Sequence, residues 1–282
     1  MSRAGAEMRA GLRCLQALAL ACLLGGASLL CTNWAHAASE PQVKDIPTRP
    51  GVTQRYLLLE PEGKPRAAVI LMAGGHGGLN IYRNGSFGWG EGNFLVRTRA
   101  QFAQQGLVVA VVDAPSDRQS RPWLNGFRQG PEHAEDMAML IAALRKEYQV
   151  PVWLVGTSRG TQSAAAIAAR RAPAEGGPDG VVLTSTILVT RSADDRPVPQ
   201  FPLERIGVPV LVVHHRDDGC SYCPAAQVPA LMDKLTHTPR KQAIIVEGGI
   251  DQGDPCAAAG HHGFRNIEQH VVTTISNWIT TP

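Results

Sequence analysis

Residues 152–169, VWLVGTSRGTQSAAAIAA, decide how the rest of the chain is read. An apolar run from Val152 to Val155 meets Gly-Thr-Ser-Arg-Gly, and an alanine-rich segment with helical spacing follows. A short, wholly apolar run bounded by glycine is the pattern of a strand buried on both faces. A serine on a sharp strand-to-helix turn has its hydroxyl lifted above the sheet. Glycines flank it because any side chain there would strike the neighbouring strand or helix. The first N–H groups of the helix then point at whatever binds beside the serine, and Ala164, Ala165, Ala166, Ala168 and Ala169 let that helix lie close to the sheet. The G-x-S-x-G pattern alone is cheap; its place between strand and helix makes Ser158 a candidate nucleophile.

Further apolar runs at 56–59, 67–72, 107–112, 181–183, 208–213 and 243–246 alternate with helical spacing at 94–104, 131–148, 159–171, 225–235 and 266–278. Strands alternating with helices predict a mostly parallel sheet covered on both faces. Ligands of such sheets bind beyond the carboxyl ends of the strands, so the residues just after each run matter most.

A serine hydroxyl needs a base, and the base needs an orienting acid. On a nucleophile elbow the chain order is serine, acid, histidine. The segment VPVLVVHHRDDGCSYCP, 208–224, places Asp217 and Asp218 just beyond a strand, and DPCAAAGHHGF, 254–264, places His261 and His262 in a loop before the last helix. Asp194 and Asp195, after an earlier strand, are an outside alternative for the acid.

These three sites make the chain resemble the α/β-hydrolase superfamily from about residue 52 to 278, and its smaller dienelactone-hydrolase-like and esterase-like members most. The resemblance implies a mostly parallel central sheet with helices on both faces. It selects Asp218 over Asp217, because the superfamily's acid follows its strand in a pattern like H-G-x-x-D; here His215 replaces the usual glycine. It selects His262 over His261, because a small residue and an aromatic, Gly263 and Phe264, follow. The oxyanion is expected on two backbone N–H groups. One is that of Arg159, next to the nucleophile. The other comes from VILMAGGHGGL, 69–79, where Gly74 stands in place of the histidine of H-G-x-G and His76 holds the variable position, so the backbone N–H of His76 is assigned rather than its imidazole. The stretch 185–208 is too short for a large cap domain, which leaves an open site.

Loops 80–94 and 113–128 carry Tyr82, Phe87, Trp89, Phe94, Arg118, Arg121, Trp123 and Phe127. They could grip an apolar or carboxylate-bearing substrate, or simply pack and solvate two long loops.

The first 37 residues stand apart. Arg3, Arg9 and Arg13 precede an apolar run from Cys14 to Leu30, and Ala35-His36-Ala37 offers an A-x-A cleavage site. That order predicts a secretory signal peptide cleaved near Ala37, with an uncleaved anchor as the alternative. About 245 residues then remain, enough for a single domain, 38–282, with a sizeable core. The formal net charge of the whole chain is +3. Removing the leader leaves about +1 with no block of like charges, which gives no basis for nucleic-acid binding or stable membrane association.

Of six cysteines, Cys220, Cys223 and Cys256 survive, in a compartment that permits disulfides. A bridge from Cys256 to Cys220 or Cys223 ties the acid loop to the histidine loop; a local Cys220–Cys223 pair is the alternative. The predicted function is therefore an exported serine hydrolase that cleaves a small-molecule ester or related acyl bond through Ser158, His262 and Asp218, with no cofactor and no metal. An amidase or peptidase on the same residues, a zinc site at the His/Asp/Cys-rich edge and a non-catalytic binding protein are the competing readings.

Overall fold

A computed structural model describes residues 40–190 and 196–281. The expected leader, Asp194 and Asp195 lie outside them. Eight strands form one sheet in the order β1-β2-β4-β3-β5-β6-β7-β8. They are β1 Gln42–Arg49, β2 Val52–Leu59, β3 Ala67–Met72, β4 Leu107–Val112, β5 Val152–Thr157, β6 Gly180–Thr184, β7 Val210–His215 and β8 Lys241–Val246. The pairs β1–β2 and β2–β4 are antiparallel, and every other pair is parallel.

Two cores follow from the pleat. Side chains alternate between the faces of a strand, so Ala68, Ile70 and Met72 of β3 pack on one side while Ala67, Val69 and Leu71 pack on the other. The first face is covered by α3 (Pro131–Tyr148), α4 (Gly160–Arg170) and α5 (Val228–Asp233). The second is covered by α1 (Phe94–Arg97), α2 (Arg99–Gln104) and α6 (Glu268–Thr280). Wholly apolar strands thus carry two half-periodic patterns superposed, as the sequence suggested.

Three elements differ from the sequence expectation. β1 has no counterpart in the sequence pattern: with Lys44, Asp45 and Pro47 it lacks an apolar run, and it is held as an edge strand by a tight turn in which Gly51 has φ 73°. The helix expected over 94–104 breaks at Thr98, whose hydroxyl bonds the Phe94 carbonyl at 2.7 Å and competes with the helical ladder. The segment 225–235 yields a 3₁₀ turn at Ala225–Gln227 and only a short helix, α5, with Pro229 in its first turn. Between β6 and β7 the described residues form two short 3₁₀ turns, Val198–Gln200 and Leu203–Arg205, and no cap domain.

Candidate active site

The elbow is as tight as the glycines imply. A Cβ on Gly156 would lie 2.4 Å from the Gly160 carbonyl oxygen, and one on Gly160 would lie 2.0 Å from that of Met72 in β3. Both clashes are with backbone, so neither position takes a side chain. Ser158 between them has φ 52°, a left-handed conformation unusual for a residue other than glycine. It is held by its N–H to the Thr184 carbonyl at 3.0 Å and by its carbonyl, which accepts from Thr161 N–H at 2.9 Å.

Asp218 and His262 come together from segments 44 residues apart. His262 Nδ1 lies 2.9 Å from Asp218 Oδ2 and 3.1 Å from Oδ1, with both side chains almost wholly shielded from solvent. The Cys220 N–H donates to Asp218 Oδ1 at 2.9 Å and fixes the carboxylate. Ser185 Oγ donates to the His262 carbonyl at 2.8 Å, anchoring the histidine loop to the end of β6. His262 Nε2 is buried with no hydrogen-bond partner among the described residues, and His262 lines the same cavity of about 490 Å³ as Ser158.

The neighbouring pair is arranged differently. Asp217 is exposed and its carboxylate lies 3.7 Å from Arg216, while His261 stacks on the His215 ring with centroids 4.0 Å apart. His215 uses both nitrogens, Nε2 with the Gly248 carbonyl at 2.8 Å and Nδ1 as acceptor from Asp217 N–H at 3.0 Å. His215, Asp217 and His261 are close enough to suggest a metal site. A metal there has to displace those bonds, and two parallel stacked rings do not aim their lone pairs at one point. His214 is buried beside Asp218 and His262, and burial pushes its imidazole below its usual pKa range.

The disulfide is Cys220–Cys256, and it joins the acid loop to the histidine loop. Cys223 is a buried thiol whose Sγ donates to the Ser185 carbonyl at 3.3 Å.

The turn after β3 meets the elbow directly. A Cβ on Gly74 would lie 2.9 Å from Ser158 Cβ, and Gly74 and Gly75 line the cavity. His76 does not line it; its ring sits between Trp89, with centroids 3.9 Å apart, and Trp123, at 5.0 Å. Burial and, secondarily, the Arg128 and Arg121 charges push the His76 imidazole below its usual range. The Arg159 side chain turns away to Asn125 Oδ1 at 2.7 Å.

Of the loop aromatics, Trp89 and Phe94 line the cavity. The others mostly pack: Arg118 lies over Phe127, and Tyr82 borders a separate polar cavity.

Three buried or half-buried charges that organise the site escaped the sequence reading. Asp113 accepts N–H bonds from Leu79, Asn80, Ile81 and Ala114, which pull its carboxyl down against the larger upward push of burial. Arg97 bonds the Ala258 and Gly263 carbonyls of the histidine loop and pairs with Glu268. Arg128, fully within the fold, bonds the Ala73 and Gly75 carbonyls and Ser163 Oγ.

A mostly parallel eight-stranded sheet with this elbow between β5 and α4 is an α/β-hydrolase fold. Among solved structures the chain is similar to a dienelactone hydrolase from Anabaena variabilis, with a TM-score of 0.56 at 17% identity over 86% of this chain and 98% of that one. It is similar to an esterase from Pyrococcus furiosus, with a TM-score of 0.60 at 12% identity over 85% of this chain and 90% of that one. An acylaminoacyl peptidase from Pyrococcus horikoshii aligns with a TM-score of 0.58 at 11% identity; the match takes in 86% of this chain and 41% of that longer one. No protein-family model matches the chain, and no curated protein sequence matches it.

Proposed function

We propose that the chain is an exported serine hydrolase that cleaves carboxylic esters or related acyl bonds of small molecules. The observation that carries this reading is the shielded Asp218–His262 pair on the rim of the cavity that holds Ser158 on its left-handed elbow.

In this reading His262 Nε2 takes the proton of Ser158 Oγ as the oxygen attacks the substrate carbonyl. Asp218 holds the imidazole by Nδ1 and stabilises its charged form. The base and hydroxyl close to hydrogen-bond distance when substrate fills the cavity, as such contacts often tighten only in the loaded site. The tetrahedral oxyanion rests on the N–H of Arg159 and on that of His76, which belongs to the peptide shared with cavity-lining Gly75. His262 returns the proton to the leaving group, then activates water to clear the acyl-enzyme. The sequence of steps calls on no metal or cofactor.

The open site, with only two short 3₁₀ turns among the described residues between β6 and β7, suits small or extended acyl substrates. Export is supported by the leader-like first 37 residues and by the Cys220–Cys256 disulfide. No helix among the described residues is long and apolar enough to cross a membrane. The peptidase neighbour makes amide cleavage on the same residues the second reading.

Fluorophosphonate labelling mapped by peptide mass spectrometry tests the proposal, followed by a panel of 4-nitrophenyl esters and anilides. Label on Ser158, lost in Ser158→Ala, is the expected result. Folded protein that takes no label and turns over no acyl substrate points to a binding protein instead.

A further inference from the structure

We infer that Arg128 is a positioning residue that fixes both oxyanion donors at once; the inference rests on the serine-hydrolase reading above. Arg128 is buried, 4% exposed. Its Nη2 donates to the Ala73 carbonyl at 3.1 Å and to the Gly75 carbonyl at 3.2 Å, and its Nη1 donates to Ser163 Oγ at 3.0 Å. Ala73 and Gly75 belong to the turn after β3, and Ser163 lies on the first turns of α4, one helical turn past Arg159. One planar cation therefore bridges the two segments that carry the two donors.

Peptide geometry gives the bridge its consequence. The C=O and N–H of a trans peptide point in opposite directions. Carbonyls of Ala73 and Gly75 turned toward Arg128 force the N–H groups of Gly74 and His76 to the other side. Neither N–H bonds a backbone carbonyl among the described residues, and Gly74 and Gly75 line the cavity beside Ser158. The same Nη2 packs where a Cβ on Gly77 would be, 2.5 Å away, so the glycine run and the arginine fit each other. A guanidinium can hold two carbonyls and a hydroxyl in one plane, which an ammonium on a flexible stem does not reproduce. Arg128 touches no reacting atom in this scheme; it acts through the backbone it holds.

The test compares Arg128→Gln and Arg128→Lys with wild type on 4-nitrophenyl acetate, with the thermal midpoint as a check on folding. Losing one oxyanion donor costs about 10²–10³ in kcat in well-studied hydrolases. Arg128→Gln is expected to lose about 10²-fold in kcat with KM changed less than about threefold, and Arg128→Lys to fall between. Affinity for an aryl trifluoromethyl ketone, whose adduct carries the oxyanion, is expected to weaken by the same factor as kcat. A merely structural arginine lowers the midpoint without moving that ratio. If Arg128→Gln does not fold, Ser163→Ala removes one acceptor and is expected to give the same kcat-selective loss at a few-fold size. A folded Arg128→Gln with wild-type kcat and ketone affinity overturns the inference, as does an unaffected Ser163→Ala where Arg128→Gln is unfolded. Wild-type protein that neither takes fluorophosphonate nor hydrolyses the ester overturns the serine-hydrolase reading itself, a result visible before any arginine variant is made.

Discussion

Asp218 Oδ2 and His262 Nδ1 are 2.9 Å apart, while one residue earlier in each segment Asp217 lies exposed beside Arg216 and His261 stacks on His215. Adjacent residues of the same type thus occupy different electrostatic environments. Asp218→Asn is expected to lower kcat by about 10³–10⁴, since the imidazole loses both its orientation and the partner of its charged form. Asp217→Asn is expected to stay within about twofold, as exposed substitutions away from a buried partner do. Steady-state kinetics on one ester separates the two, and equal losses would contradict the assignment.

Gly74→Ala tests the close approach of the β3 turn to the elbow. The new methyl carbon falls 2.9 Å from Ser158 Cβ and 3.1 Å from the Thr157 carbonyl oxygen. Displacing a nucleophile by a fraction of an ångström to one ångström costs up to about 10² in rate. The variant is expected to fold and to lose about that much kcat, with slower fluorophosphonate labelling in proportion. A fully active Gly74→Ala means the turn has room that the structure does not show.

Opening the Cys220–Cys256 bridge releases a loop of sequence separation 36. Chain-entropy reasoning puts the loss of stability at about 3–4 kcal/mol, an upper figure if the unlinked chain keeps structure. Cys256→Ser is expected to show this as a lower urea midpoint and to lower kcat, because the bridge anchors both the acid loop and the histidine loop. Unchanged unfolding in the variant would show that the surrounding packing holds these loops without it.

His133 on α3 is 2% exposed and neither of its ring nitrogens has a hydrogen-bond partner among the described residues. Burial, with the Arg128 and Arg49 charges adding to it, pushes its pKa down to about 3 from 6.5. The unfolded chain therefore binds a proton at His133 between those values while the folded chain does not. Stability from this group is complete above about pH 6.5 and drains away as the pH falls toward 3, at up to about 1.4 kcal/mol per pH unit. His133→Leu is expected to flatten the acid side of the stability profile between pH 6 and 4, read as urea midpoints (about two pH units of titration). Parallel profiles for the two proteins would remove His133 from the account.

Much of this was legible because it is local. The glycines around Ser158 sit within one turn, and the wholly apolar β3 and β4, with the apolar runs that open β5 and β7, announce a two-faced sheet. The pairs Asp217-Asp218 and His261-His262 stand out by position, just after a strand and just before the last helix, and the family resemblance chose within each pair. The residues that escaped notice act across the chain instead. Arg128 holds carbonyls 53 and 55 residues away, and Arg97 holds one 161 residues away. These partners are backbone carbonyls, which every residue has, so no residue type marks those contacts; the side-chain partners, Glu268 and Ser163, are likewise far along the chain from their arginines. β1 escaped for the opposite reason: an edge strand is made by its neighbour, and Lys44, Asp45 and Pro47 hide its pattern.

The direction of β1 bears on how the molecule can be tethered. β1 is antiparallel to β2 and β2 to β4, so β1 runs the same way as the parallel strands whose far ends carry Ser158 and Asp218. Gln42 therefore starts at the sheet's opposite rim. A purification tag or surface linker joined directly to Gln42 would set off from that rim, which makes this end of β1 the natural handle for immobilising the domain with its cavity facing the bulk solution.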